Sequence, residues 1–100
     1  MQEADEDDEP DFDLAELLPQ YFALCRRDLD KLKAAFEQRE FVQVRLLGHN
    51  LKGSGGAYGF PELTEIGAAI ERAAKAEDET AVRTGIDQFA TFLISHAPPA

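Results

Sequence analysis

From Leu14 onward, apolar residues recur at steps of three and four. Leu14, Leu18, Tyr21, Cys25, Leu29, Leu32 and Phe36 form one stripe, the spacing of a helix that buries one face. Pro19 interrupts it. Proline is comfortable in a first helical turn and costly deeper in, so the pattern predicts a short leading turn at about 12–18 and a long helix over about 19–38. The polar break Gln38-Arg39-Glu40 precedes a second helix over about 40–57, with Val44, Leu47, Leu51, Ser54 and Tyr58 on one face. Tyr58-Gly59-Phe60-Pro61 is the clearest punctuation. Gly59 suits a left-handed helix stop, and Pro61 suits the first position of the next helix. Glu62 and Glu65 then lie in a first turn whose dipole favours acids. The third helix, about 61–76, turns Leu63, Ile66, Ile70 and Ala73 inward. Asp78 suits the N-cap of a fourth, about 79–96, striped by Val82, Ile86, Phe89 and Leu93 and ended by Pro98-Pro99. There is no internal repeat and no strand-period alternation. The expectation is an all-α chain: an antiparallel four-helix bundle of up-and-down topology with a short N-terminal helical turn.

One hundred residues fit one domain. A chain this short buries a thin core and has few residues to spare for an enclosed catalytic cleft. Its single cysteine, Cys25, excludes an internal disulfide and suits a reducing compartment. No apolar run approaches the roughly 18–20 residues that span a membrane. The N-terminus lacks the basic-then-apolar pattern of a signal peptide. A soluble, cytoplasmic monomer is expected. The net charge of −10 is unevenly spread. Eight of the 20 acids lie within residues 1–13, which carry no base, while the other 12 acids face 10 bases. Residues 1–13 therefore read as an acidic disordered tail, and residues 14–97 as the bundle. The tail fits a solubilising segment or a linker remnant; an acidic interaction arm is the alternative. Without a basic face, a nucleic-acid partner is not expected.

The informative stretch is Gly48-His49-Asn50-Leu51-Lys52-Gly53-Ser54-Gly55-Gly56. Three helix-interior glycines, Gly53, Gly55 and Gly56, cost about 2–3 kcal/mol relative to alanine, and a marginal domain needs a reason to carry them. Leu47 and Leu51 point to the core, so His49, about 200° away, faces outward. Val42, Leu46, Lys52, Gly53 and Gly56 share its face. Gly55 lies elsewhere, where close helix packing is the expected reason. An exposed neutral imidazole is a competent nucleophile toward an activated phosphoryl group. A nearby ammonium keeps the ring neutral, and after transfer the same Lys52 can neutralise phosphate charge.

The run His49-Asn50-Leu51-Lys52-Gly53-Ser54 resembles the His-x-x-Lys-Gly-Ser signature of the histidine-phosphotransfer (HPt) family. Gly56, Gly59 and Phe60-Pro61-Glu62-Leu63 extend the likeness, as does the upstream run from Glu40-Phe41 into Val44-Arg45-Leu46-Leu47-Gly48, and it covers about residues 19–95. The resemblance implies a phosphorelay module of two-component signalling, a phosphocarrier rather than an enzyme. Such a module accepts a phosphoryl group from a receiver-domain aspartate or a kinase and passes it to another receiver. His49 matches the phosphorylated position and Lys52 the basic residue that supports the phosphate. Gly53 and Gly56 match small positions of the docking face, which Val42, Leu46 and Arg45 complete. Gln43 and Arg45 are further candidates to assist. No cofactor is expected, since any Mg²⁺ belongs to the partner's aspartate pocket. The rival reading is a helical adaptor that docks receiver-like partners without phosphotransfer. A domain cut from a hybrid sensor kinase would play the same biochemical part. A phosphate-binding loop is excluded, because Lys52 precedes Gly53 and no strand leads in. A metal site is excluded by two histidines 47 residues apart and one cysteine on a core stripe. His96, in the last helical turn, reads as structural.

Overall fold

The computed structural model describes residues 14–96, with side chains from Glu16 onward. Four helices follow one another: α1 (Leu14–Glu37), α2 (Phe41–Ala57), α3 (Pro61–Lys75) and α4 (Glu79–His96). No strand occurs among the described residues. The acidic segment 1–13, the first residues of the expected leading turn and Pro98-Pro99 lie outside them.

The expected break at Pro19 is absent, and the leading turn is the first turn of α1 itself. Pro19 is the sixth residue of that helix and exposed. The one carbonyl it deprives of a partner belongs to the helix's opening turn, where bonding is weakest. The long apolar stripe carries the helix through.

The three connections share one geometry. In each, a residue with positive φ follows the helix: Arg39 (57°), Gly59 (84°) and Glu77 (53°). Its N–H and that of the next residue bond back into the last turn. Arg39 donates to the Phe36 carbonyl and Glu40 to that of Ala35; Gly59 donates to Gly56 and Phe60 to Gly55; Glu77 donates to Ala74 and Asp78 to Ala73. This double bond pattern is the Schellman stop. The residue that closes each stop then opens the next helix. Asp78 does so with its side chain, Oδ1 accepting the Ala81 N–H at 3.1 Å. Glu40 and Phe60 provide no side-chain cap.

Such tight stops enforce antiparallel neighbours. Each helix packs on two others in the cyclic order α1–α2–α3–α4, and the diagonal pairs do not meet. Phe89, Leu32, Leu63, Ile70, Val44, Val82 and Cys25 are fully buried at the centre. Every stripe residue expected on α3 and α4 is buried, as are Tyr21, Cys25, Leu32 and Phe36 on α1 and Val44, Leu47 and Leu51 on α2. At the end of the bundle where α2 meets α3, Tyr21 stacks on Tyr58 with centroids 4.0 Å apart. Its hydroxyl lies 2.9 Å from that of Ser54, tying α1 to α2.

Helices α2 and α3 approach each other closely along glycines. A Cβ on Gly67 would run into the backbone of Gly48 and Lys52, and one on Gly48 would meet the Glu71 nitrogen at 2.9 Å and the Gly67 oxygen at 3.0 Å. Backbone therefore rests on backbone at this crossing. Gly55 meets Leu63 in the same close manner, as its place on the helix suggested.

Candidate functional site

His49 stands at the middle of α2, on the side opposite Leu47 and Leu51, with its side chain 59% exposed. One turn along, Lys52 shares that side. Both reach the same carboxylate. Glu71, from α3, places Oε2 3.1 Å from His49 Nδ1 and Oε1 3.0 Å from Lys52 Nζ. Glu71 sits one turn beyond Gly67, so the glycine crossing sets this reach. With a side chain at Gly48 or Gly67, α3 would stand off and the carboxylate would be lifted away from the ring.

The Lys52 hydrogen bond, aided by that of His49 and opposed by desolvation, holds the Glu71 carboxyl below its usual range. It is therefore ionised near neutral pH and can only accept. The His49 Nδ1 consequently carries the hydrogen and donates it, and the lone pair lies on Nε2.

This arrangement corrects one expectation. The sequence placed an ammonium beside the ring; the group that touches the ring is a carboxylate, and Lys52 is paired with that carboxylate. Glu71 itself was missed. It follows His49 by 22 residues within a helix rich in alanine and charge, where a glutamate reads as a solvated face. Gly67, an interruption inside an otherwise good helix, was the available signal.

The remaining candidates are placed as follows. Val42 and Leu46 are exposed (65% and 44%) along α2 before His49, and Arg45 is half-buried between them. A Cβ on Gly53 would meet nothing within 4 Å; on Gly56 it would meet Thr64 Oγ1 at 3.3 Å. That hydroxyl donates to the Lys52 carbonyl at 2.9 Å, so Gly56 is less open than its exposure implies. Gln43 is exposed but six residues from His49, on a different side of the helix. Among the described residues, neither Gln43 nor Arg45 bonds to the ring. Ser54 of the signature faces Tyr21, not the site.

The Hpt domain family matches residues 16–95. The chain belongs to that family. No curated protein and no solved structure gives a significant match. Hpt domains are helical-bundle phosphocarriers that take part in histidine phosphotransfer in phosphorelays, where they interact with receiver domains. In this Hpt domain His96 has a different setting from His49. Its ring stacks on Phe92 at 4.0 Å and donates from Nδ1 to the Phe92 carbonyl at 3.1 Å. It lines a groove between α3 and α4 with Glu62, Glu65 and Asp87. Among the described residues of this Hpt domain no helix is long and apolar enough to cross a membrane.

Proposed function

We propose that His49 carries the phosphoryl group on Nε2, taking it from a receiver-domain aspartate or a kinase and delivering it to another receiver. The supporting observation is the Glu71 carboxylate on Nδ1, which leaves the lone pair of an exposed ring on Nε2. In acceptance, that lone pair attacks phosphorus and the acyl P–O bond breaks. The aspartate leaves as carboxylate, and the ring becomes an imidazolium whose Nδ1–H faces Glu71. Delivery is the reverse step on a second aspartate. The new phosphoryl oxygens compete with Glu71 for Lys52, whose ammonium supports the charge they bring. Val42, Leu46, Arg45 and the side-chain-free Gly53 and Gly56 form the surface on which a receiver seats. The working unit is residues 14–97, a cytoplasmic monomer, with residues 1–13 an acidic tail outside the phosphotransfer step.

Incubation with phosphorylated receiver domains, following acid-labile phosphate onto the chain, tests this reading. Acceptance is expected for the wild type and for His96→Gln, and none for His49→Gln with an unchanged helical circular-dichroism signal. Labelling that survives His49→Gln would overturn the assignment. Lys52→Ala is expected to slow transfer about ten- to a hundredfold, the worth of one charge-assisted contact. Docking without any transfer would favour an adaptor instead.

A further inference from the structure

We infer that the cationic face around His49, where α2 meets α3, is a seat for the chain's own acidic residues 1–13, which compete there with a docking receiver. The inference rests on His49 being the carrier and adds a control on access to it.

Charge is unevenly placed on the bundle. Among the four helices, α2 alone carries no Asp or Glu. Its Arg45 and Lys52 bracket His49, one turn to either side. Lys75 of α3 stands one turn beyond Glu71, and because the two helices run antiparallel it comes to the Arg45 end of the face. The acid on this face, Glu71, is only 12% exposed and is engaged by Lys52 and the ring. Arg45 and Lys75 have no carboxylate partner among the described residues. Cations elsewhere have acids at hand. Arg26, Arg27, Lys31 and Lys33 on α1 surround Asp28 and Asp30, Arg39 pairs with Glu79, and Arg83 lies one turn before Asp87.

The anionic counterpart is in the same chain. Residues 1–13 hold eight acids and no base, and they lead into the start of α1. Tyr21 of α1 is tied to Ser54 of α2 at 2.9 Å. Helix rise then puts Leu14 about 10 Å to one side of that tie and Arg45 about 14 Å to the other. From Leu14 to Arg45 is thus roughly 25 Å along the bundle. Asp5, Glu6, Asp7, Asp8 and Glu9 precede Leu14 by nine to five residues. Extended chain covers about 3.3–3.6 Å per residue, so these acids reach up to about 17–32 Å, enough to span Lys52 to Arg45. Their mutual repulsion favours extension, and a segment tethered this closely is presented at an effective concentration on the order of mM. A receiver brings its own aspartate carboxylate to the same cations, so the two compete. Residues 1–13 take no part in the transfer step; they reduce the fraction of molecules with an open face, and apparent docking affinity falls with that fraction.

The first readout needs no partner. A nitroxide is attached through Asp5→Cys in the whole chain carrying Cys25→Ala, and the broadening of backbone amides is followed by NMR. Broadening is expected from Arg45 to Lys52 and around Lys75. It should fade as salt rises from about 0.1 M to about 1 M, where the screening length falls from about 10 Å to about 3 Å. Changing the other acids of residues 3–9 to their amides should remove it, as should Arg45→Gln with Lys75→Gln. The second readout is transfer from a phosphorylated receiver domain below saturation. A chain lacking residues 1–11 is expected to load about two- to tenfold faster than the whole chain at about 0.1 M salt, and equally fast at about 1 M. The whole chain with the acids of residues 3–9 as amides should match the truncated one, which separates charge from bulk. Broadening centred on α1 or α4 would overturn the inference and leave the carrier assignment standing. So would broadening that persists with nitroxide and isotope label on different molecules, which would assign the seat to a second copy, and so would equal loading rates at low salt. Absence of transfer to His49 in both chains would overturn the carrier assignment instead, while the broadening would still decide what occupies the face.

Discussion

At the scale of single residues, the site depends on what two helices lack. Gly67→Ala forces a methyl into the Gly48–Lys52 backbone, and overpacking of this kind costs about 1–3 kcal/mol. The same change is expected to break the His49–Glu71 bond, so urea titration and the Nδ1/Nε2 nitrogen shifts of His49 should move together. Gly53 is the opposite case. Nothing surrounds it, and Gly53→Ala should raise stability by about 0.5–1 kcal/mol, whereas Gly53→Gln should obstruct a docking receiver. At Gly56 the nearby Thr64 hydroxyl reduces the gain that exposure alone would suggest. Glu71 sets a pH dependence of known sign. Its carboxyl titrates lower in the folded chain than in the unfolded one, so its stabilising contribution is present at neutral pH and is lost as pH falls through the lowered folded value. The carboxyl carbon shift of Glu71 should therefore titrate with its midpoint below that of an ordinary glutamate. His49 and Lys52 were legible because they stand three residues apart in an unusual run. Glu71 was not, because a contact across a helix crossing leaves no spacing to read.

The helices and their stops form the next scale. All four helices could be placed to within a residue or two of their ends, apart from the supposed break at Pro19. Breaks were legible at all three connections, but only Gly59 announced a left-handed stop; the positive φ of Arg39 and Glu77 was not foreseen, since side-chain-bearing residues are uncommon there. They adopt it because the two backbone bonds of the stop and the packing of adjacent helices demand it. Arg39 recovers part of the strain. Its guanidinium donates to the Phe36 carbonyl at 2.7 Å and pairs with Glu79 at 3.0 Å. Glu77 is the cleaner test. A left-handed residue costs about 1–2 kcal/mol, partly offset by the entropy a glycine loses. Glu77→Gly should therefore raise stability by several tenths to about 1 kcal/mol, read as an upward shift in Tm. Beside it, Asp78→Ala should cost about 1 kcal/mol by removing the cap on Ala81.

Across the whole molecule, the stripes foretold less of the core than they contain. Phe22, Ala35 and Phe92 are buried off the main stripes. In a ring of four, each helix faces two neighbours, so its buried arc is wider than one line of residues. Phe89 is the largest of the fully buried side chains, and Phe89→Ala is expected to cost about 3–5 kcal/mol, a large share of a small domain's stability. The cyclic order has a further consequence, for the order in which the molecule comes apart. Three of its four seams join consecutive helices; only α1 against α4 links segments distant along the chain. Loop-closure entropy weighs most heavily on that seam, so transient opening should begin there, while the glycine-locked α2–α3 pair stays closed. Native-state hydrogen exchange should then show the amides around Gly48 and Gly67 opening at higher free energy than those at the outer ends of α1 and α4. A carrier built this way could breathe along its far edge many times without once letting go of the histidine's proton partner.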